Sequence, residues 1–216
     1  MQENNKNSFN HLKIHSQYSI CEGALKIDDL KNYCKKNKIK SAGLSDTSNL
    51  CGALEFADNL SKVGTQPIIG TQINFKFNGI TGLLPLFAKN ANGYKRIIEL
   101  SSKSYLENDG LSEPYCDFFE LTKRNEGIIV FSGTIDGLVG KLFNQGKYKD
   151  ISEVYSNLNS HYKNRFYIEI QRHGDINEKI FEKYNLQKSN ELNIPIIATQ
   201  EVYYLNQNMY EAHDAL

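Results

Sequence analysis

The chain has 216 residues, of which 25 are Lys or Arg and 25 are Asp or Glu, so its formal net charge is zero. This balance excludes a surface that attracts nucleic acid everywhere, and any such contact would be local or made by other parts of a larger assembly. With 40% hydrophobic residues, the chain is long enough to bury a sizeable core, which predicts one domain or slightly more.

The cysteines and the N-terminus indicate where the protein works. Cys21, Cys34, Cys51 and Cys116 form no C-x-x-C pair, and scattered cysteines are typical of a reducing cytosol. Residues 1–8, MQENNKNS, lack the apolar stretch of a signal peptide, and no apolar run is long enough to cross a bilayer. We expect a cytoplasmic protein without a membrane partner, and residues 1–8 as a disordered tail.

The first half of the chain alternates predicted strands with predicted helices. Apolar residues recur at helical spacing in the helices, as at Ile27, Leu30 and Cys34. Asn78-Gly79 separates two strands and predicts a two-residue hairpin. The predicted strands are 9–16, 41–46, 66–77 and 80–90, and the predicted helices are 26–38, 52–64 and 92–106, the last with Tyr94, Ile97, Ile98 and Ser101 on one face.

The second half resumes the alternation after an irregular helical stretch. The predicted elements are that stretch at 114–125, strands at 127–133, 165–171 and 195–200, helices at 136–146, 150–162 and 177–193, and the first turns of a helix at 208–216. Alternating strands and helices favour a parallel sheet, either a closed barrel or an open doubly wound sheet. The sequence has no G-x-G-x-x-G after the first strand and no P-loop, so neither motif supports nucleotide binding. The last helix, cut short, suggests a fragment of something longer.

In parallel α/β folds, functional side chains gather where the strands end. Asp46 precedes a helix and is expected to cap it rather than to bind a metal. Arg172 and His173 are expected in a solvated loop, with phosphate binding as the alternative, and His11 is expected to be structural. The polar residues after the predicted strands are His15, Glu22, Asp46, Gln72, Thr134, Glu169, Arg172, His173, Gln200 and Glu201.

Six stretches in register resemble the PHP (polymerase and histidinol phosphatase) domain at the N-terminus of the alpha subunit of bacterial DNA polymerase III. They are FNHLKIHSQYSICEGALKIDDL, GLSDTSNLCGALEFADNLSKVGTQPIIGTQI, GIIVFSGTIDGLVGKLF, FYIEIQRHG, IPIIATQEVYYL and YEAHDAL. The resemblance covers residues 9–216. It implies an α/β fold, a distorted seven-stranded (β/α) barrel truncated at its C-terminus, with the polymerase domains beyond residue 216.

The resemblance also implies a metal-dependent phosphoesterase site, and this chain departs from the family's ligand pattern. The family's H-x-H falls on Lys13 and His15, and its loop Asp falls on Glu22. Further ligand positions fall on Thr47, Gln72, Leu83, Thr134, Glu201 and Tyr203. His15, Glu22 and Glu201 are therefore interpreted as vestigial metal positions, with Asp46, Gln72 and His173 as other rim residues. One weak ion is conceivable with three donors, but not a two-metal clamp.

The resemblance implies a structural role for this region. It would dock the proofreading exonuclease, the epsilon subunit, alongside other replicase subunits. DNA contact and magnesium-dependent nucleotidyl transfer would belong to the parent chain, with no cofactor and no catalytic residue in this region. The alternatives are a metal-dependent phosphoesterase or 3′–5′ exonuclease of the same superfamily, and an interaction module unrelated to replication. For a scaffold, truncating Ile129 is expected to cost more stability than removing His15 or Glu22.

Overall fold

The computed structural model describes residues 9–108, 110 and 112–215, so the tail predicted at 1–8 lies outside the described residues. The strands are β1 (Lys13–Ile14), β2 (Ser41–Thr47), β3 (Gln66–Phe77), β4 (Ile80–Ala88), β5 (Tyr115–Asp117), β6 (Ile128–Phe131), β7 (Phe166–Ile170), β8 (Ile196–Ala198) and β9 (Glu201–Val202). The helices are α1 (Ile27–Asn37), α2 (Ala53–Ser61), α3 (Ala91–Leu106), α4 (Glu120–Lys123), α5 (Leu138–Asn144), α6 (Tyr148–Tyr162), α7 (Ile176–Leu192) and α8 (Tyr210–Asp214).

The strands form a distorted barrel, as the family resemblance implied. Their order is β8-β7-β6-β4-β3-β2-β1-β9, and β5 pairs with β3 outside this path. β8 and β9 are separated by only two residues, yet β8 pairs with β7 and β9 pairs with β1. The segment 196–202 therefore joins the two ends of the path. When β8 and β9 are counted as one interrupted strand, the ring has seven strands.

The predicted hairpin explains why one strand of the barrel runs against the others. Asn78 and Gly79 have φ angles of 46° and 82°, and positive φ at both central residues is the geometry of a type I′ turn. The turn sends β4 back antiparallel to β3, and β4 is also antiparallel to β6. The sheet is thus mixed: it is parallel as the alternation predicted except at β4, whose reversal the predicted hairpin accounts for.

Other boundaries differ where tertiary contacts outweigh local pattern. Part of the predicted irregular helical stretch is the strand β5, because Tyr115 to Asp117 pair with β3. α2 ends at Ser61 and the chain reaches Gly64 through a turn, so the predicted helix was too long. β9 was not predicted, since two residues are too few to show a pattern.

Two apolar clusters hold the barrel together. One lies among β3, β4, β6 and the helices α3, α5 and α6, and the other lies among β1, β2, α1 and α2. In α3 the buried face carries Arg96, Ile97 and Leu100, whereas Ile98 is 40% exposed. The predicted face was therefore wrong by part of a turn. Within the described residues, no helix is both long and apolar enough to cross a membrane.

Candidate functional site

A polar pocket of about 260 Å³ opens at the end of the barrel where the parallel strands finish. It brings together nearly every position that the family resemblance singled out. The predicted residues that line it are His15, Glu22, Thr47, Gln72, Leu83, Thr134, His173, Glu201 and Tyr203. Asp136, Gln171 and Glu178 also line it and were not predicted. Lys13 and Asp46 are fully buried and do not line the pocket.

Lys13 is a buried cation held by two carboxylates from other strands. Its side chain on β1 is 0% exposed, and its Nζ lies 3.2 Å from Oε1 of Glu169 on β7 and also contacts Oε1 of Glu201 on β9. These contacts are ion pairs without hydrogen-bond geometry. Burial lowers the pKa of Lys13, but the two carboxylates outweigh it and raise the pKa above its usual value. The ammonium therefore links three strands inside the barrel.

The two carboxylates that share this ammonium have opposite pKa shifts. Burial disfavours the ionised form of Glu201, yet the charge of Lys13 and the hydrogen bond to His15 lower its pKa to about 2. Burial dominates at Glu169 and raises its pKa, although Lys13 opposes this shift. Thr199 donates its hydroxyl hydrogen to Oε1 of Glu169. Of the two carboxyl groups, Glu201 is therefore the one whose ionised form its surroundings stabilise.

His15 is buried, and its ring nitrogens face different groups. Nε2 lies 2.6 Å from Oε2 of Glu201, while Nδ1 lies 3.3 Å from Oγ of Ser19 and 3.7 Å from Oε2 of Glu22. The ring stacks on Tyr203 with a centroid separation of 4.5 Å. Glu201 faces Nε2 and Glu22 faces Nδ1, so the two carboxylates lie at opposite edges of the imidazole. Since each ring nitrogen can bind one ion, the three side chains do not converge on a single metal position.

Glu22 belongs to a loop that is fastened at several points. Its Oε2 accepts a 2.6 Å hydrogen bond from the hydroxyl of Thr47, and its carbonyl oxygen lies 2.8 Å from Nε2 of His213 in α8. The Glu22 side chain is nevertheless 39% exposed at the mouth of the pocket. The loop is therefore held in position by hydrogen bonds to Thr47 and His213.

Asp46 is an internal hydrogen-bond acceptor. It is fully buried and accepts hydrogen bonds from the backbone N–H of Ser16 at 2.6 Å, the hydroxyl of Ser16 at 2.8 Å and the hydroxyl of Ser19 at 2.9 Å. Burial raises its pKa and these hydrogen bonds oppose the shift. The capping interpretation was wrong, because the N-cap of α2 is Gly52 and no side chain caps it. Asp46 instead holds the start of the loop after β1.

At the rim, Arg172 and His173 are paired with glutamates of α7. Nε and Nη2 of Arg172 lie 3.0 and 2.6 Å from the two carboxylate oxygens of Glu182. Nδ1 of His173 lies 2.7 Å from Glu178. Both residues are exposed, as expected of a solvated loop, and each is paired with an acidic side chain.

The side chains around the pocket differ from the ligands that a catalytic metal cluster needs. In the described part of the chain, no group of three or more His, Cys, Asp and Glu side chains is arranged to hold a metal ion. Leu83 has no donor atom, and the amide of Gln72 is a weaker ligand than a carboxylate. The Lys13 ammonium holds both Glu169 and Glu201. These side chains do not fit a two-metal centre, and no hydrolytic step through a metal is derived from them.

Sequence reasoning missed the side chains that hold the site together. Ser19, Gln171 and Thr199 connect His15, Glu169 and Glu201 by hydrogen bonds. Gln171 and Thr199 lie near the ends of the predicted strands 165–171 and 195–200 and directly follow the observed strands β7 and β8, so their position at the strand ends was the available signal. Ser19 lies in a loop, and only the folded structure shows that it contacts Asp46 and His15.

Comparisons with known proteins match the PHP domain over residues 11–173. The chain belongs to the PHP domain family. This PHP domain is 37% identical over 218 residues to the DNA polymerase III subunit alpha of Caulobacter vibrioides and 31% identical over 209 residues to that of Vibrio cholerae. It is matched over 96% and 95% of its own length, but it spans only about a fifth of these relatives, 19% and 18%, in their N-terminal region.

A solved structure supports the fold assignment. An amidohydrolase from Chromobacterium violaceum, solved with bound sulfate and no metal, superimposes with a TM-score of 0.58, covering 96% of both chains at 9% identity. At this identity the likeness shows the fold alone. The barrel architecture is therefore shared with enzymes, and the activity has to be argued from the side chains of this PHP domain.

Proposed function

We propose that this PHP domain is the N-terminal part of the alpha subunit of a bacterial DNA polymerase III. The observation that carries the proposal is the match of 96% of the chain to the N-terminal region of such subunits at up to 37% identity. The rest of that polypeptide would perform DNA-directed DNA synthesis with magnesium and would contact DNA. The protein would act in the cytoplasm, together with other replicase subunits.

We also propose that the metal site of this domain is degenerate and that the domain does not hydrolyse phosphoesters. The buried ammonium of Lys13 supports this, because a cation there repels any metal ion bound nearby. The separation of Glu22 and Glu201 to opposite edges of His15 supports it as well. An in-line displacement assisted by two metals needs both ions about 4 Å apart in one donor cluster.

The role that remains is a scaffold with a docking surface, and the partner we propose is the proofreading exonuclease, the epsilon subunit. A polymerase without its own metal-dependent proofreading domain needs that activity from a separate protein. Lys13, Glu169 and Glu201 are well placed to give the scaffold rigidity, since together they connect β1, β7 and β9. The superfamily alternative, a phosphoesterase or 3′–5′ exonuclease, requires metal binding that the scaffold does not.

Mixing the purified protein with the epsilon subunit from the same cell and measuring co-elution by size exclusion tests this role. We expect a complex that forms equally well with magnesium and with EDTA, because no bound metal supports the scaffold. The control is Lys183→Ala, an exposed position on α7, which reports the effect of an ordinary surface change. Absence of a complex between two folded proteins contradicts the docking proposal. Loss of the complex in EDTA contradicts the metal-free scaffold.

A further inference from the structure

Beneath α7 lies a small cavity of about 20 Å³, which adjoins the pocket and shares Thr134, Ile135, Gln171 and Glu178 with it. It lies between α7 and the end of β7, and its walls include Glu169, Phe181 and Asn185. A cavity needs about 10–15 Å³ of such volume to hold one water molecule. The cavity therefore has room for one water molecule.

Two residues of the cavity walls each have a buried polar atom that lacks a hydrogen-bond partner among the described residues. The two atoms are Oε2 of Glu169 and Nδ2 of Asn185. The two residues are 2% and 0% exposed. The other carboxylate oxygen of Glu169 accepts from Thr199, and Oδ1 of Asn185 accepts a 2.8 Å hydrogen bond from the hydroxyl of Tyr155. A buried polar group left without a partner destabilises the fold, so each of these atoms favours a bound partner.

The two unpaired atoms have complementary chemistry. Oε2 of Glu169 is an acceptor, whereas Nδ2 of Asn185 is a donor. A metal ion or an ammonium ion would face the amide hydrogens of Asn185, and an anion would face the carboxyl group of Glu169. A neutral molecule that donates on one side and accepts on the other satisfies both.

We propose that this cavity is a binding site for one structural water molecule, which donates to Oε2 of Glu169 and accepts from Nδ2 of Asn185. The water connects the buried ion pairs of Lys13 with Glu169 and Glu201 to α7. Through Asn185 it also connects them to Tyr155 on α6. This inference does not depend on the proposed replicative function, because it rests on packing and hydrogen bonding alone.

A high-resolution crystal structure of the protein tests the site, with NMR as a second readout. We expect one isolated density peak within about 2.7–3.2 Å of both atoms. In NMR, the side-chain amide protons of Asn185 should show NOE and ROE cross-peaks of opposite sign to a long-lived water. Asn185→Leu should abolish the peak. Tyr155→Phe, which removes only the other hydrogen bond of Asn185, should retain it.

Several results would overturn the proposal. One is an empty cavity in the wild-type protein, and another is direct contact between Glu169 and Asn185. A peak with several short oxygen contacts, typical of a cation, would overturn it as well. Loss of the water in Tyr155→Phe would also overturn it, because the two polar atoms would then not suffice to hold the water. If Asn185→Leu does not fold, the wild-type structure alone decides the question.

Discussion

Replacing Glu201 by Gln is expected to destabilise the protein strongly at neutral pH, because it removes the carboxylate paired with Lys13 and His15. The pKa of Glu201 is lowered from 4.5 to about 2 in the folded protein. A shift of this size corresponds to about 3 kcal/mol of folding free energy. Because the folded pKa is the lower one, this stability is present above pH 4.5 and is lost as the pH falls toward 2.

Glu169→Gln is the matched control, since the same substitution is made at the other carboxyl group that contacts Lys13. Burial raises the pKa of Glu169, so its ionised form costs stability above that pKa, and an uncharged amide removes the cost. Oε1 of the amide can still accept from Thr199. We expect a loss of less than about 1 kcal/mol at pH 7, or a gain.

Urea unfolding of the wild type and both variants at pH 7 and pH 3 measures these differences. The deficit of Glu201→Gln should fall from about 3 kcal/mol at pH 7 to about 1 kcal/mol at pH 3, following the titration of the carboxylate. The reasoning is refuted if Glu169→Gln loses as much as Glu201→Gln at pH 7. It is also refuted if the deficit of Glu201→Gln is the same at both pH values.

Three further predictions follow from the pocket and the core. With manganese, zinc or magnesium, hydrolysis of phosphoesters or single-stranded DNA should not exceed background, and a rate that His15→Ala abolishes would contradict this. Ile128→Ala should lower the free energy of unfolding by about 2–5 kcal/mol, because Ile128 is fully buried. Glu22→Ala should lower it by about 1 kcal/mol or less in the same thermal or urea experiment. Equal losses would contradict the scaffold. His15→Ala should cost about 2 kcal/mol or more, since it leaves buried partners unpaired, and a neutral effect would show that the ring does not support the site.

The last of these predictions differs from what the sequence alone indicated. Without a structure, His15 is one member of a decayed metal loop, and its removal is expected to be harmless. The fold buries it against Tyr203 and Glu201, which gives it a structural role. Ile129, chosen from the sequence as a core residue, is only half-buried, whereas its neighbours Ile128 and Val130 are fully buried.

The choice of a barrel over an open sheet came from the family resemblance, whereas the alternation of strands and helices was accessible from local pattern. The hairpin at Asn78-Gly79 illustrates this, since two residues specify both a turn and the direction of β4. β5 was not accessible in this way, because its residues become a strand only by pairing with β3. The short strands β1 and β9 likewise depend on their partners for definition.

The candidate site was located by resemblance, and its chemistry came from the structure. Positions as distant as His15 and Glu201 could be assigned to one pocket by aligning motifs. The ion pairs between Lys13 and two glutamates could not be predicted, because they depend on how β1, β7 and β9 meet inside the barrel. Charge balance in the sequence says nothing about which charges are buried together.

The number of metal ions bound per chain tests the central claim most directly. Elemental analysis after dialysis against buffer containing trace zinc, manganese and magnesium gives this number without any assumption about activity. The account predicts less than one ion per chain, because the ammonium of Lys13 holds the carboxylates that a metal would need and His15 faces its acidic neighbours from opposite edges. Two or more tightly held ions per chain would contradict it and would restore the hydrolytic alternative.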